Sequence, residues 1–194
     1  EIKGLRGLNV TIPYKEEIIP YLDKLSKTAK KIGAVNCVTI SKKKKLKGYN
    51  TDYHGFKKSI KPLLKDHHKK ALILGTGGAS KAIAYALRSL KIEYDFVSRT
   101  ADEFQYKYEE LDASIFEEYT IIINTTPVGT HPNVDDCPNL DYSLFTKKHI
   151  AYDLIYNPEE TAFLRKAKAQ GAVTKNGYEM LVLQAEKAWK IWNE

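Results

Sequence analysis

The sequence predicts an α/β fold: a doubly wound parallel sheet preceded by a smaller α/β segment. Three observations predict it. From Lys70 onward, short apolar runs alternate with stretches of helical periodicity. The first run, residues 71–74, is apolar at every position, as a strand covered on both faces requires. Gly75-Thr76-Gly77-Gly78-Ala79 follows that run and opens an amphipathic segment, so the strand feeds a helix through a glycine turn.

Each element follows in order. Residues 8–12 read as a short strand. Pro13 suits the first position of a helix, where a missing N–H costs little. Ile18, Ile19, Leu22 and Leu25 give that helix an apolar stripe. Residues 34–40 read as a second strand. The run Lys42-Lys43-Lys44-Lys45 turns it back through residues 46–49 as a hairpin. Residues 53–64 read as a helix that bridges to the larger sheet. After the glycine loop, Ala79, Ala82, Ile83, Ala86, Leu87 and Leu90 share one helical face. Residues 94–97, 121–123, 150–154 and 172–174 supply further strands. The closing segment, 178–192, is an amphipathic helix.

Composition sets the outer bounds. The 194 residues, 43% hydrophobic, suffice for one large core or two small ones. No apolar run approaches the roughly 20 residues that cross a bilayer, so no membrane partner is expected. Glu1-Ile2-Lys3 does not open a signal peptide. The net charge of +7 gathers in Lys42–Lys45 and in residues 65–70. These runs lack interleaved aromatic residues and read as a solvated turn and linker, not a nucleic-acid surface. A mild positive field would attract anionic small molecules. Cys37 and Cys137 have neither metal-ligand nor redox spacing, which fits a reducing cytoplasm. The five histidines form no ligand-like cluster, so no metal is expected.

The glycine loop points to a dinucleotide. A strand leads into Gly75, Gly77 and Gly78, and a helix leads out. Small residues let the backbone approach a pyrophosphate, and the helix start offers free N–H donors. Thr76 and Ala79 belong to the same loop. A fold of this kind that binds NAD usually carries an acid about 20 residues on, for the ribose hydroxyls. This chain has Ser98-Arg99-Thr100 there. A guanidinium fork at Arg99 fits a 2′-phosphate, and an acid would repel one. The cofactor expected is therefore NADP. Asn124-Thr125-Thr126-Pro127-Val128-Gly129 ends another strand and, read alone, is a plain proline-glycine turn.

Two polar motifs precede the loop. Asn9-Val10-Thr11-Ile12-Pro13-Tyr14-Lys15 places Lys15 in the expected first helical turn. The dipole there opposes a cation, which favours release of its proton. Asn50-Thr51-Asp52-Tyr53-His54-Gly55 places Asp52 before the next helix. Taken singly, Lys15 reads as a solvated charge and Asp52 as a helix cap. Together with Gly33-Ala34-Val35-Asn36 between them, and with the cofactor loop after them, the ordered set resembles the shikimate dehydrogenase family. The resemblance covers nearly the whole chain and takes in two later motifs. One is Asp153-Leu154-Ile155-Tyr156-Asn157-Pro158-Glu159-Glu160-Thr161. The other is Asn176-Gly177-Tyr178-Glu179-Met180-Leu181-Val182-Leu183-Gln184.

The resemblance implies the chemistry: reversible, NADPH-dependent reduction of 3-dehydroshikimate to shikimate, on the route to aromatic amino acids. It implies that Lys15 and Asp52 form the catalytic pair. Thr11, Asn36, Tyr156 and Gln184 would touch substrate, and Thr125, in a segment that resembles the family's Asn-Ala-Thr-Pro-x-Gly, would border the cofactor with Leu154 and Gly177. It implies a Rossmann-like NADP-binding domain over residues 53–175. Residues 1–52 and 176–194 would form a partial substrate domain that the last helix completes. Partners would be the small-molecule substrate alone, with the protein a monomer or homodimer.

The chain departs from the family in three places. Ser98 stands where asparagine is usual, and Cys37 where threonine is common. No Ser-x-Ser segment for the substrate carboxylate precedes Asn9. The chain is therefore expected to start late, leave a sheet edge exposed, and bind NADP but turn over poorly. The alternatives are a quinate/shikimate dehydrogenase or an NADP-binding fragment without turnover. A methylene-tetrahydrofolate enzyme would not carry the Asn-Thr-Asp and Gln184 motifs.

Overall fold

The computed structural model describes residues 4–194, which form two sheets. The first contains β1 (Gly7–Asn9), β2 (Lys24–Leu25), β3 (Cys37–Ile40) and β4 (Leu46–Tyr49), in the order β1-β3-β4-β2. The expected hairpin is present: β3 and β4 run antiparallel, with Ile40 opposite Leu46. The lysine run makes its turn, closed by Ser41 N–H donating to the Lys45 carbonyl at 3.0 Å. Both predicted strands here are shorter than expected.

The helix expected after Pro13 does not form. Residues 12–18 are consecutive turns, followed by a short 3₁₀ segment, Ile19–Tyr21. Pro20 explains this. It lies inside the expected apolar stripe, has no N–H to bond four residues back, and its ring would clash with the carbonyl of residue 16. Ile18, Ile19, Leu22 and Leu25 still pack on the small core of Val10, Ala29, Val35 and Val38.

A helix that apolar periodicity does not predict follows, α1 (Lys27–Ile32). Its signals are at its ends. Ser26 Oγ accepts from Ala29 N–H at 3.1 Å, and Gly33 caps the other end with φ +74°. Helix α2 (Asp52–Ile60) then runs into a 3₁₀ turn at Lys61–Leu63, where Pro62 ends the α-helical ladder.

The second sheet contains β5 (Lys70–Leu74), β6 (Glu93–Val97), β7 (Ile121–Asn124), β8 (Ile150–Asp153) and β9 (Val173–Lys175). The order is β6-β5-β7-β8-β9, and every pair is parallel. The remaining α-helices are α3 (Gly78–Ser89), α4 (Ala113–Glu118), α5 (Ala162–Ala169) and α6 (Tyr178–Asn193). Strand β5 shows why its sequence is apolar throughout. Ala71 and Ile73 enter a core with Phe56, Ile83, Leu87 and Tyr152, while Leu72 and Leu74 enter another with Phe116, Phe145 and Phe163. The chain leaves β5 for β6 on one side and returns to β7 on the other. That reversal opens a crevice beyond the carboxyl ends of β5 and β7.

Helix α6 returns to the first sheet. It packs along α2, where Gly55 permits close approach: a Cβ there would lie 2.5 Å from the Met180 carbonyl oxygen. At its far end Trp192 Nε1–H donates to the Val38 carbonyl of β3 at 3.0 Å.

Candidate active site

The turn that carries Lys15 is held by its own backbone: the Lys15 carbonyl accepts from Val35 N–H at 2.7 Å. This replaces the expected helix as the element that places Lys15, and it removes the dipole argument attached to that helix. Asp52 is the first residue of α2, where the helix start favours a carboxylate. The two side chains meet, with Lys15 Nζ 2.8 Å from Asp52 Oδ2, and they are only 13% and 8% exposed. A pair so enclosed is screened little by solvent salt.

Asn36 organises what surrounds the pair. Its Nδ2 donates to Asp52 Oδ1 at 2.9 Å, to Thr51 Oγ1 at 2.9 Å and to Gln184 Oε1 at 3.2 Å. Its Oδ1 accepts from Thr51 N–H at 2.7 Å. Gln184 reaches in from α6, and its Oε1 also accepts from Thr51 Oγ1 at 3.2 Å. The buried partner an amide on an apolar helix face requires is thus Asn36 with Thr51. Thr51 was the residue missed, although it stands inside the Asn-Thr-Asp motif.

The glycine loop lies against this cluster. A Cβ on Gly78 would sit 3.2 Å from Lys15 Cβ. Gly75 adopts φ +99°, and a Cβ there would come within 2.9 Å of Thr126 Cγ2 and 3.1 Å of Thr125 Oγ1. Gly77, just ahead of α3, faces open space, so its backbone is approachable from outside. An ion pair between Lys81 and Glu16 ties α3 to the Lys15 turn. The loop also bonds to the end of β6, where Gly75 N–H donates to the Val97 carbonyl at 2.9 Å. Just past Val97, Ser98 Oγ accepts from Thr100 N–H at 3.2 Å, and Arg99 is exposed at the tip of that turn. Approachable loop backbone, a helix start and an exposed guanidinium on adjacent strand ends fit a dinucleotide with a 2′-phosphate.

A cleft of about 710 Å³ joins these parts. Thr11, Lys15, Asn36 and Asp52 line it from the first sheet, Ala79 and Thr125 from the cofactor side. Leu154, Tyr156, Gly177 and Gln184 line it from β8 and α6. Gly75, Thr76, Gly77, Gly78, Ser98, Arg99 and Thr100 lie outside it, at the ends of β5 and β6. Thr126, His131 and Met180 also line it and were not singled out from the sequence. Gly177 is fixed by contact, since a Cβ there would lie 2.0 Å from the Leu154 carbonyl oxygen.

Comparisons with known proteins point to one family. The family model described as the shikimate dehydrogenase substrate binding domain matches residues 1–38. The NADP(+) shikimate dehydrogenase of Caldanaerobacter subterraneus subsp. tengcongensis is 42% identical over 207 aligned residues, covering 97% of this chain and 72% of that protein. The crystal structure of shikimate dehydrogenase from Aquifex aeolicus superposes with a TM-score of 0.85 at 41% identity, over 97% of this chain and 72% of that one. The shikimate 5-dehydrogenase of Thermus thermophilus, solved in complex with NADP(H) and shikimate, gives a TM-score of 0.84 at 36% identity, over 98% and 74%. By sequence and by fold, this chain belongs to the shikimate dehydrogenase family.

Proposed function

We propose that this chain is an NADP-dependent oxidoreductase that interconverts 3-dehydroshikimate and shikimate. The observation that carries the reading is the enclosed Lys15–Asp52 pair, 2.8 Å apart, on the wall of a cleft that the dinucleotide loop borders. NADPH, when bound, supplies the hydride. The chain's own residues supply the proton and the placement. Lys15 acts as general acid towards the ketone oxygen in reduction, and as base towards the hydroxyl in the reverse direction. Asp52 orients the Lys15 ammonium and accepts a hydrogen bond from the same hydroxyl. Asn36 holds Asp52, and Gln184 with Thr11 and Tyr156 contacts the substrate hydroxyls.

For the cofactor, Gly75–Ala79 and the start of α3 receive the pyrophosphate. Arg99, flanked by Ser98 and Thr100, takes the 2′-phosphate and selects NADP over NAD. Thr125, Leu154 and Gly177 border the nicotinamide end. Residues 53–175 form the cofactor-binding domain; residues 1–52 and 176–194 form the substrate side. The two cysteines are free, which fits the reducing cytoplasm as its location.

The test follows NADPH absorbance with NADP⁺ and shikimate. Shikimate-dependent formation of NADPH is expected. No turnover would overturn the proposed reaction.

A further inference from the structure

Two loops on the nicotinamide side of the cleft come from different strands. Thr125 and Thr126 follow β7, and Leu154, Ile155 and Tyr156 follow β8. Below them lies a polar cluster with no exposed surface: Asn124, Asp153 and Thr161. Asn124 Nδ2 donates to Asp153 Oδ1 at 3.1 Å, and Ile155 N–H donates to the same oxygen at 3.0 Å. Thr161 Oγ1 donates to Asp153 Oδ2 at 2.7 Å. On its other side, Asn124 Oδ1 accepts from Thr126 N–H at 3.0 Å and from Thr126 Oγ1 at 2.6 Å. One carboxylate therefore links the loop after β7 to the loop after β8 and to the start of α5.

We infer that Asp153 is a positioning residue for hydride transfer: through Asn124, Ile155 and Thr161 it fixes the two loops that border the nicotinamide. The inference rests on the cofactor reading proposed above. Its geometry is one-sided. The cluster holds the ends of β7 and β8; Arg99 stands past the end of β6, two strands from β7, while Gly75 of the glycine loop lies against Thr125 and Thr126. The 2′-phosphate end at Arg99 is the part of the dinucleotide farthest from the cluster.

A purely stabilising role fits poorly. Burial pushes the Asp153 carboxyl up to about 6 even though three donors oppose the shift. A charge whose burial outweighs its hydrogen bonds destabilises the fold near neutral pH, so packing alone does not account for it. What the carboxylate does provide is simultaneous acceptance from three donors on three segments, which fixes their spacing.

The test separates the two halves of the cofactor. Wild type, Asp153→Asn, Thr161→Val and Thr161→Ser are compared by calorimetry with 2′,5′-ADP, by the emission of bound NADPH, and by turnover. Asp153→Asn and Thr161→Val should bind 2′,5′-ADP within about twofold of wild type and lose between about tenfold and a hundredfold in turnover, as misplacement of about 1 Å can cost. The emission of bound NADPH should move towards that of free NADPH. Thr161→Ser keeps the hydroxyl and should match wild type in emission and turnover. If Asp153→Asn does not fold, the Thr161 pair decides. Equal weakening of 2′,5′-ADP and NADPH, or a lowered unfolding temperature with bound-NADPH emission and turnover unchanged, would overturn the positioning role. Wild type that binds neither ligand would overturn the cofactor reading and this inference with it.

Discussion

Lys15 shows how a residue can be legible while its setting is not. Its motif and its order before Asp52 single it out, and the structure brings the two within 2.8 Å. The helix expected beneath it is absent, because Pro20 interrupts the apolar stripe that predicts it. Its neighbourhood is set instead by Val35, Asn36 and Gly78, contacts across the chain that no local pattern announces. Lys15→Ala should lower turnover by about 10²–10⁴-fold while NADP binding by calorimetry stays near wild type. Near-normal turnover at neutral pH would remove Lys15 from the mechanism. Arg99 is a simpler case, since its role was read from the type of residue at a strand end. Arg99→Ala should weaken NADP by on the order of 1.5–3 kcal/mol and leave NAD almost unchanged, as the loss of a charge-assisted phosphate contact would. Equal affinity of the wild type for both cofactors would refute the assignment.

Elements of the larger sheet were legible because each carries its own signal. Strand β5 is apolar on both faces, and α3 has an apolar stripe opened by glycine. The smaller sheet was harder to read. Strand β2 has two residues and exists only through its parallel pairing with β4, a tertiary condition. Helix α1 is six residues long, too short for periodicity to show, though Ser26 and Gly33 marked its ends. The pairing of α2 with α6 depends on Gly55, whose importance appears only once Met180 is seen above it. Gly55→Ala should force the helices apart and destabilise the protein by about 1–3 kcal/mol, as overpacking typically does. Urea unfolding checks this, and an unchanged midpoint would show that the contact relaxes freely. The same displacement shifts Gln184, so turnover should fall as well.

Across the whole molecule, two histidines fasten the sheet end opposite the cleft. His68 Nδ1 accepts from Lys65 N–H at 2.8 Å, and its Nε2 bonds the Lys148 carbonyl at 3.0 Å. His149 Nδ1 accepts from Thr146 N–H at 3.0 Å, and its Nε2 bonds the Phe116 carbonyl at 2.8 Å. Both are neutral rings with Nδ1 as acceptor, and burial holds both below the ordinary value of 6.5. Below pH 6.5 the unfolded chain takes up these protons before the folded one does. Their contribution to stability is therefore present above that pH and is lost as pH falls. Asp153 works in the opposite sense. Raised to about 6 from 3.8, it favours the folded state more as pH falls through that window. The urea midpoint of His149→Gln should depend less on pH between about 7 and 5 than that of wild type, and Asp153→Asn should steepen the acid loss. Parallel pH profiles for all three proteins would contradict both assignments.

The anchoring of the last helix turn on β3 has an optical consequence. The chain has two tryptophans, and both are on α6: Trp189 is 65% exposed, while Trp192 is partly buried with its indole N–H on Val38. Intrinsic tryptophan emission therefore reports from a single helix, the one that also carries Gln184. Trp192 in contact with the sheet should emit to the blue of Trp189, and quenching by acrylamide should resolve the two. Undocking of the helix would merge them into one red-shifted, fully quenchable band. The protein thus holds an unlabelled gauge of whether its two sheets remain joined, readable before any substrate is added.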